Sequence, residues 1–218
     1  LTQLTSQSSI DCNSNLSIFA EYYKVKNYEA AYEPWMLVRK ECPKINPAIY
    51  FQGSRMLDEF IKNSEGELKV SYQNDLLNLY DEWLINFPAY NGRSIVGQIM
   101  SNKAQKMFDY KLASKSEIYN LFENAYQTDP VSFDDPKPLY TYFKTYFELY
   151  KEGNSEITLS EIFNKYEELD ERYNSIIDQY SKQIDIIINK ENSGVALTSR
   201  EKRNKKVYEI NSNASNIY

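Results

Sequence analysis

The chain has 218 residues, a net charge of -6, 42% hydrophobic residues and no histidine. That length allows one large or two small domains with a continuous core, and a mean hydropathy of -0.64 with no long apolar run excludes a spanning helix, which needs ~18 such residues. The acidic balance weighs against a nucleic-acid partner, which needs a basic surface. The missing histidine excludes Ser-His-Asp and Cys-His catalysis, HExxH zinc sites and histidine proton shuttles.

With only 6 Gly and 7 Pro, long helices joined by short turns fit better than many strands. Residues 1–11 are polar and read as a tail. A first helix follows Cys12 through Ile18, Phe19, Tyr22 and Tyr23, and Lys26-Asn27 is a polar turn. Tyr28, Ala31, Trp35 and Val38 then fall at i, i+3, i+7 and i+10, one face of a second helix. Pro43 closes it, because proline disfavours a helical residue before it and offers no donor. Pro34 inside this helix is expected to kink it or weaken one backbone bond. Two antiparallel helices of this kind cannot bury their apolar faces alone, so a stack of neighbouring pairs is expected.

Cys12 opens the first helix and Cys42 ends the second, which places the two thiols side by side. A disulfide there would close a loop of about 30 residues and contribute on the order of 3–4 kcal/mol in the chain-entropy model. The alternative is two unpaired thiols in a reducing compartment.

A second pair runs from Pro47 through Ile49, Tyr50, Gly53, Met56, Leu57, Phe60 and Ile61, then from about Leu68 to Leu84. The segment Phe87-Pro88-Ala89-Tyr90-Asn91-Gly92 is a turn cluster. A third pair carries Ile95, Val96, Ile99, Met100, Ala104, Met107 and Phe108, then Ile118, Phe122 and Ala125. A strongly aromatic helix follows Asp134-Asp135-Pro136, ending at Gly153 with a left-handed cap. Thr158-Leu-Ser-Glu161 is a capping box. Leu159, Ile162, Tyr166, Leu169, Tyr173, Ile176 and Tyr180 then form a coiled-coil seam on a helix expected to reach about Lys190. Thr198-Ser-Arg-Glu201 is a second capping box, opening a return helix poor in apolar residues.

The first pair resembles a tetratricopeptide repeat. Ile18 and Tyr22 match the family's first-helix Leu and Tyr, and Tyr28, Ala31, Trp35 and Pro43 match its second-helix pattern. Phe19 and Val38 stand where the family keeps small residues. Gly53 restores the small first-helix residue in the second unit, and Phe122, Ala125 and Pro130 restore the second-helix pattern in the third. Pro43, Pro88 and Pro130 are spaced more widely than the family's ~34-residue period, so the later repeats are degenerate. The whole is similar to exported tetratricopeptide proteins of Bacteroidota. The resemblance covers residues 12–157, an all-α stack of helix hairpins, and the seam and capping boxes after it read as a long helical hairpin over 158–218. The likeness to the exported proteins implies more repeats beyond residue 218, a periplasmic or outer-membrane-associated location and no enzymatic activity.

By that resemblance, first helices line a concave groove. The partner-binding candidates are Tyr23, Lys24 and Tyr50, with Tyr140, Phe143, Phe147, Tyr150 and Lys151 on the fourth unit. Aromatics beside lysines suit the anchoring of a protein partner; core packing of the same rings is the alternative. The expected role is an adaptor in a cell-envelope assembly. A rival reading is a carbohydrate-binding protein resembling the SusD-like family, whose sites stack sugars on aromatics. No cofactor or metal site is expected: calcium-loop, phosphate-loop and paired CxxC motifs are all missing. The acidic group Glu167, Glu168, Asp170 and Glu171 reads as a solvated helix face. Arg200, Lys202, Arg203, Lys205 and Lys206 form the one concentrated basic group, suited to a soluble helix surface or to an acidic partner or anionic lipid headgroups.

Overall fold

A computed structural model describes residues 11–154 and 156–212. They form nine helices and one short hairpin, an all-α architecture of helix hairpins. The expected tail over residues 1–11 lies outside the described residues except for Asp11. Its carboxylate accepts from the Asn13 and Ser14 amides and caps the first helix.

Two compact units divide between Arg93 and Ser94. The first holds α1 (Cys12–Lys24), α2 (Tyr28–Glu41), α3 (Ala48–Lys62) and α4 (Gly66–Asn86). Helix α1 pairs with α2, and α3 with α4. Helix α2 runs unbroken through Pro34, which is buried. The centre of this unit is Trp35. Its ring is fully buried, and its indole N–H donates to the Ile49 carbonyl at 2.8 Å. The ring lies flat against Gly53 of α3, where a Cβ would come 2.6 Å from the indole. A small residue at that position is therefore a steric requirement of α2 packing on α3. Phe19, not Ile18 or Tyr22, is the buried residue of α1; Ile18 and Tyr22 are exposed. Cys12 and Cys42 meet at the open end with Cα atoms 6.2 Å apart, inside the range a disulfide spans.

The turn cluster after α4 is a tight hairpin of β1 (Ala89–Tyr90) and β2 (Arg93–Ser94). Asn91 and Gly92 both take positive φ, 50° and 75°, as a type I′ turn demands.

The second unit holds α5 (Val96–Asp109), α6 (Lys115–Thr128), α7 (Pro136–Lys151), α8 (Leu159–Asn192) and α9 (Ser199–Asn211). Helices α5 and α6 pair, α7 packs on both α6 and α8, and α9 folds back on α8. Residues 158–212 thus belong with α5–α7 in one unit. All three capping boxes form, Thr158–Glu161, Thr198–Glu201 and an additional Ser114–Glu117. Ala104, Ile118, Phe122, Ala125, Phe133, Tyr142, Leu169 and Ile176 share one core. The α8 seam divides in two. Ile162, Leu169 and Ile176 are buried at seven-residue spacing, while Leu159 and Tyr166 of the same set are exposed.

Candidate functional site: the aromatic face of α7 and α8

Helix α7 carries its six aromatics within an arc of about 160°, and position sorts them. Tyr142 and Tyr146 are buried and so is Leu149. Tyr140, Phe143, Phe147 and Tyr150 fall at i, i+3, i+7 and i+10, a second stripe along the same helix. Phe143 stacks on Phe147 with centroids 6.2 Å apart, and Phe147 leans on Tyr150 at 6.5 Å. Across the helix junction Tyr166 of α8 meets Phe143 edge-on at 5.6 Å. The Lys151 ammonium sits 5.8 Å over the Phe147 ring, a cation–π contact. Leu159 and Phe163 lie on the same side of α8 as Tyr166, given ~100° per residue. Four of these side chains stay in water, Phe147 at 40% exposed, Leu159 at 53%, Phe163 at 59% and Tyr166 at 50%, while Tyr140, Phe143 and Tyr150 are half-buried.

The stripe borders a shallow cleft lined by Leu139, Tyr140, Phe143, Tyr166, Leu169, Asp170 and Tyr173, with a volume of about 60 Å³. Small-molecule sites run to ~300–1,000 Å³. The cleft is far smaller than such a site, about the size of one side chain.

A polar clasp beneath holds α7 and α8 in register. The Glu123 carboxylate of α6 accepts from the Tyr119 hydroxyl at 2.8 Å and from the Tyr142 hydroxyl, while Gln127 donates to its other oxygen at 2.9 Å. Lys165 of α8 donates to the Tyr142 oxygen at 3.2 Å, stands 3.6 Å from Glu123 and lies 5.3 Å over the Tyr142 ring. Burial opposes the Glu123 charge, yet the donors Tyr142, Gln127 and Tyr119, with Lys165, hold its carboxyl below the ordinary 4.5. Burial, then the Glu123 carboxylate, pushes the Tyr142 hydroxyl far up, so it keeps its proton.

The structure therefore brings Tyr140, Phe143, Phe147, Tyr150 and Lys151 together on one stripe, with Leu159, Phe163 and Tyr166 beside them. Spacing alone places Leu159 and Tyr166 in the coiled-coil seam, and Phe163 falls outside that pattern. The other three candidates stand in the first unit. Tyr23 is half-buried, its ring between Phe19 at 5.9 Å and Tyr28 at 5.5 Å. Lys24 is exposed in the last turn of α1.

Tyr50 must be corrected. It is fully buried, lies near-parallel to Trp83 at 6.1 Å and donates its hydroxyl to the Pro43 carbonyl at 2.9 Å. Burial, with Glu82 nearby, pushes that hydroxyl up to about 12. It is a core residue, because the side of α3 that would face a groove is here covered by Trp83 and Phe87 at the end of α4.

Sequence reading also missed a cleft of about 650 Å³ between α2 and α4, lined by Met36, Arg39, Asp75, Asp81, Glu82 and Ile85 among others. On its floor Arg39 grips Glu82 through two bonds of 2.7 and 2.9 Å and Asp75 through one of 2.8 Å. Its guanidinium also lies 5.0 Å over the Trp35 ring. These pairings join residues 36 and 43 positions apart, beyond any local spacing rule.

Among the described residues no group of three or more His, Cys, Asp or Glu side chains converges as a metal site, and no helix is long and apolar enough to cross a membrane. The chain matches no protein-family model, no curated protein and no solved structure.

Proposed function

We propose that this chain is a non-catalytic interaction scaffold of the tetratricopeptide type, an adaptor that holds a protein partner on the aromatic face of α7 and α8. The observation that carries the reading is the row Phe147, Phe163 and Tyr166, large rings left in water on helices that have a full core elsewhere, with the half-buried Phe143 against Tyr166. Contiguous exposed apolar surface of this kind marks interaction sites. Rigid aromatic anchors beside a lysine are typical binding hot spots. The Cys12–Cys42 pair at disulfide distance supports an oxidising, exported location, where the chain serves as a subunit of a cell-envelope assembly.

Affinity purification from the native host tests this. The chain should co-elute with a defined envelope protein, and Phe147→Ala with Phe163→Ala should lose it by about 30-fold or more, as truncated hot spots do. A correctly folded double variant that keeps the same partner overturns the reading. Binding to a glycan array that disappears in the double variant would assign the face to sugar stacking instead.

A further inference from the structure

Helix α9 faces α8 with one side and presents the opposite side to water. Tyr208 packs on Tyr180 of α8 at 5.8 Å, Glu201 pairs with Lys190 at 2.6 Å and Lys205 with Glu191 at 2.6 Å. At ~100° per residue, those three positions share one side of the helix. Arg200, Lys202, Arg203, Lys206, Val207 and Ile210 fall within the remaining arc of about 160°, and all six are exposed. The four cations make no ion pair among the described residues. No carboxylate lies inside the arc. On a chain of net charge -6, a helix face whose charged groups are all basic stands against the average.

From this arrangement we infer that the outer face of α9 docks on an anionic lipid surface. The charge is complementary to acidic headgroups, and each Lys or Arg near such a surface contributes about fivefold to binding. Val207 and Ile210, each 49% exposed, stand among the cations where they meet the acyl boundary as the basic stems reach the headgroups. The surface is the convex side of one helix with no buried residue of its own. It offers no groove for an extended peptide, and a plane of headgroups fits it. This docking is independent of the aromatic face and stands or falls separately.

The test is flotation of the intact chain with vesicles of phosphatidylcholine alone and of phosphatidylcholine in which about one lipid in three is phosphatidylglycerol. Binding is expected to the anionic vesicles alone, to weaken as salt screens the charges, and to fall by about 30-fold in Arg203→Gln with Lys206→Gln. Val207→Ser with Ile210→Ser should weaken it too. Both double variants change only exposed side chains, and circular dichroism confirms their helix content. Absence of binding to the anionic vesicles, equal binding to both, or full binding by the Arg203→Gln, Lys206→Gln variant overturns the inference. Capture by immobilised polyglutamate without vesicle binding also overturns it, and assigns the face to an acidic protein.

Discussion

Gly53→Ala isolates the contact on which the first unit turns. In an exposed helix interior the change stabilises by ~1 kcal/mol, because alanine loses less backbone entropy. Here the added methyl would stand 2.6 Å from the Trp35 indole, against ordinary contact from 3.4 Å. The ring cannot yield freely, since its N–H holds the Ile49 carbonyl and both residues are buried. Overpacking of this kind costs ~1–3 kcal/mol, and breaking the buried hydrogen bond adds ~1–3 kcal/mol more. The clash exceeds the helix gain, leaving a net loss of ~1–5 kcal/mol. Chemical denaturation followed by tryptophan fluorescence reads it as a lower midpoint at unchanged slope. Trp35→Phe removes the clashing part of the ring, so Gly53→Ala should cost less in that background, and the double-mutant cycle reads the difference as coupling between the two sites. A Gly53→Ala variant as stable as the parent, or more so, would refute the argument that ring and glycine are a fitted pair.

Reduction of the Cys12–Cys42 pair, or Cys12→Ser with Cys42→Ser, should lower the melting temperature of the first unit by the loss of about 3–4 kcal/mol of loop constraint across 30 residues; two free thiols in the denatured, non-reduced protein and a melting curve indifferent to reductant would show the pair unbonded. Glu123→Gln should change the pH dependence of the second unit. The folded carboxyl lies below its ordinary 4.5, so its stabilising share is present above 4.5 and lost as pH falls through the depressed folded value. The stability gap between parent and variant should narrow on acidification from neutral to about pH 3, and a gap independent of pH would sink the clasp.

Local chemistry is readable from the chain and long-range geometry is not. Proline after a periodic run, Thr-x-x-Glu before one and a lone glycine after one each act within four residues, and α2, α8, α9 and the Gly153 cap form where those signals stand. Ser114 and Glu117 carry the same pattern at the same spacing. Pairing of Cys12 with Cys42 follows from hairpin geometry alone. Arg39 with Glu82, and Glu123 with Lys165, follow from how separate helices dock, and the charge of each residue alone suits solvent equally well. Tyr50 and Phe147 show the same limit among aromatics. Both lie on helical stripes with similar neighbours, yet one is buried and the other 40% exposed. Periodicity gives the stripe, and the partner helix decides which stripe is covered.

The same distinction supports the proposal that the aromatic face holds a partner. Helix α7 is covered on two sides, by α6 and by α8, through Leu139, Tyr142, Tyr146 and Leu149. Thr145 turns its hydroxyl back to the Thr141 and Tyr142 carbonyls, and the Glu123 clasp fixes Tyr142 from outside the helix. The backbone beneath Phe143 and Phe147 is thereby held from within the unit. A ring on a locked helix loses little further freedom on binding, so more of its burial appears as affinity. Phe143, Phe147 and Tyr166 also brace one another at 5.6–6.2 Å, which limits their rotamers in the free state. An aromatic row needed only for folding would be drawn under α8; on this chain the seam splits, and α8 adds Leu159, Phe163 and Tyr166 to the exposed side while Ile162, Leu169 and Ile176 complete the core.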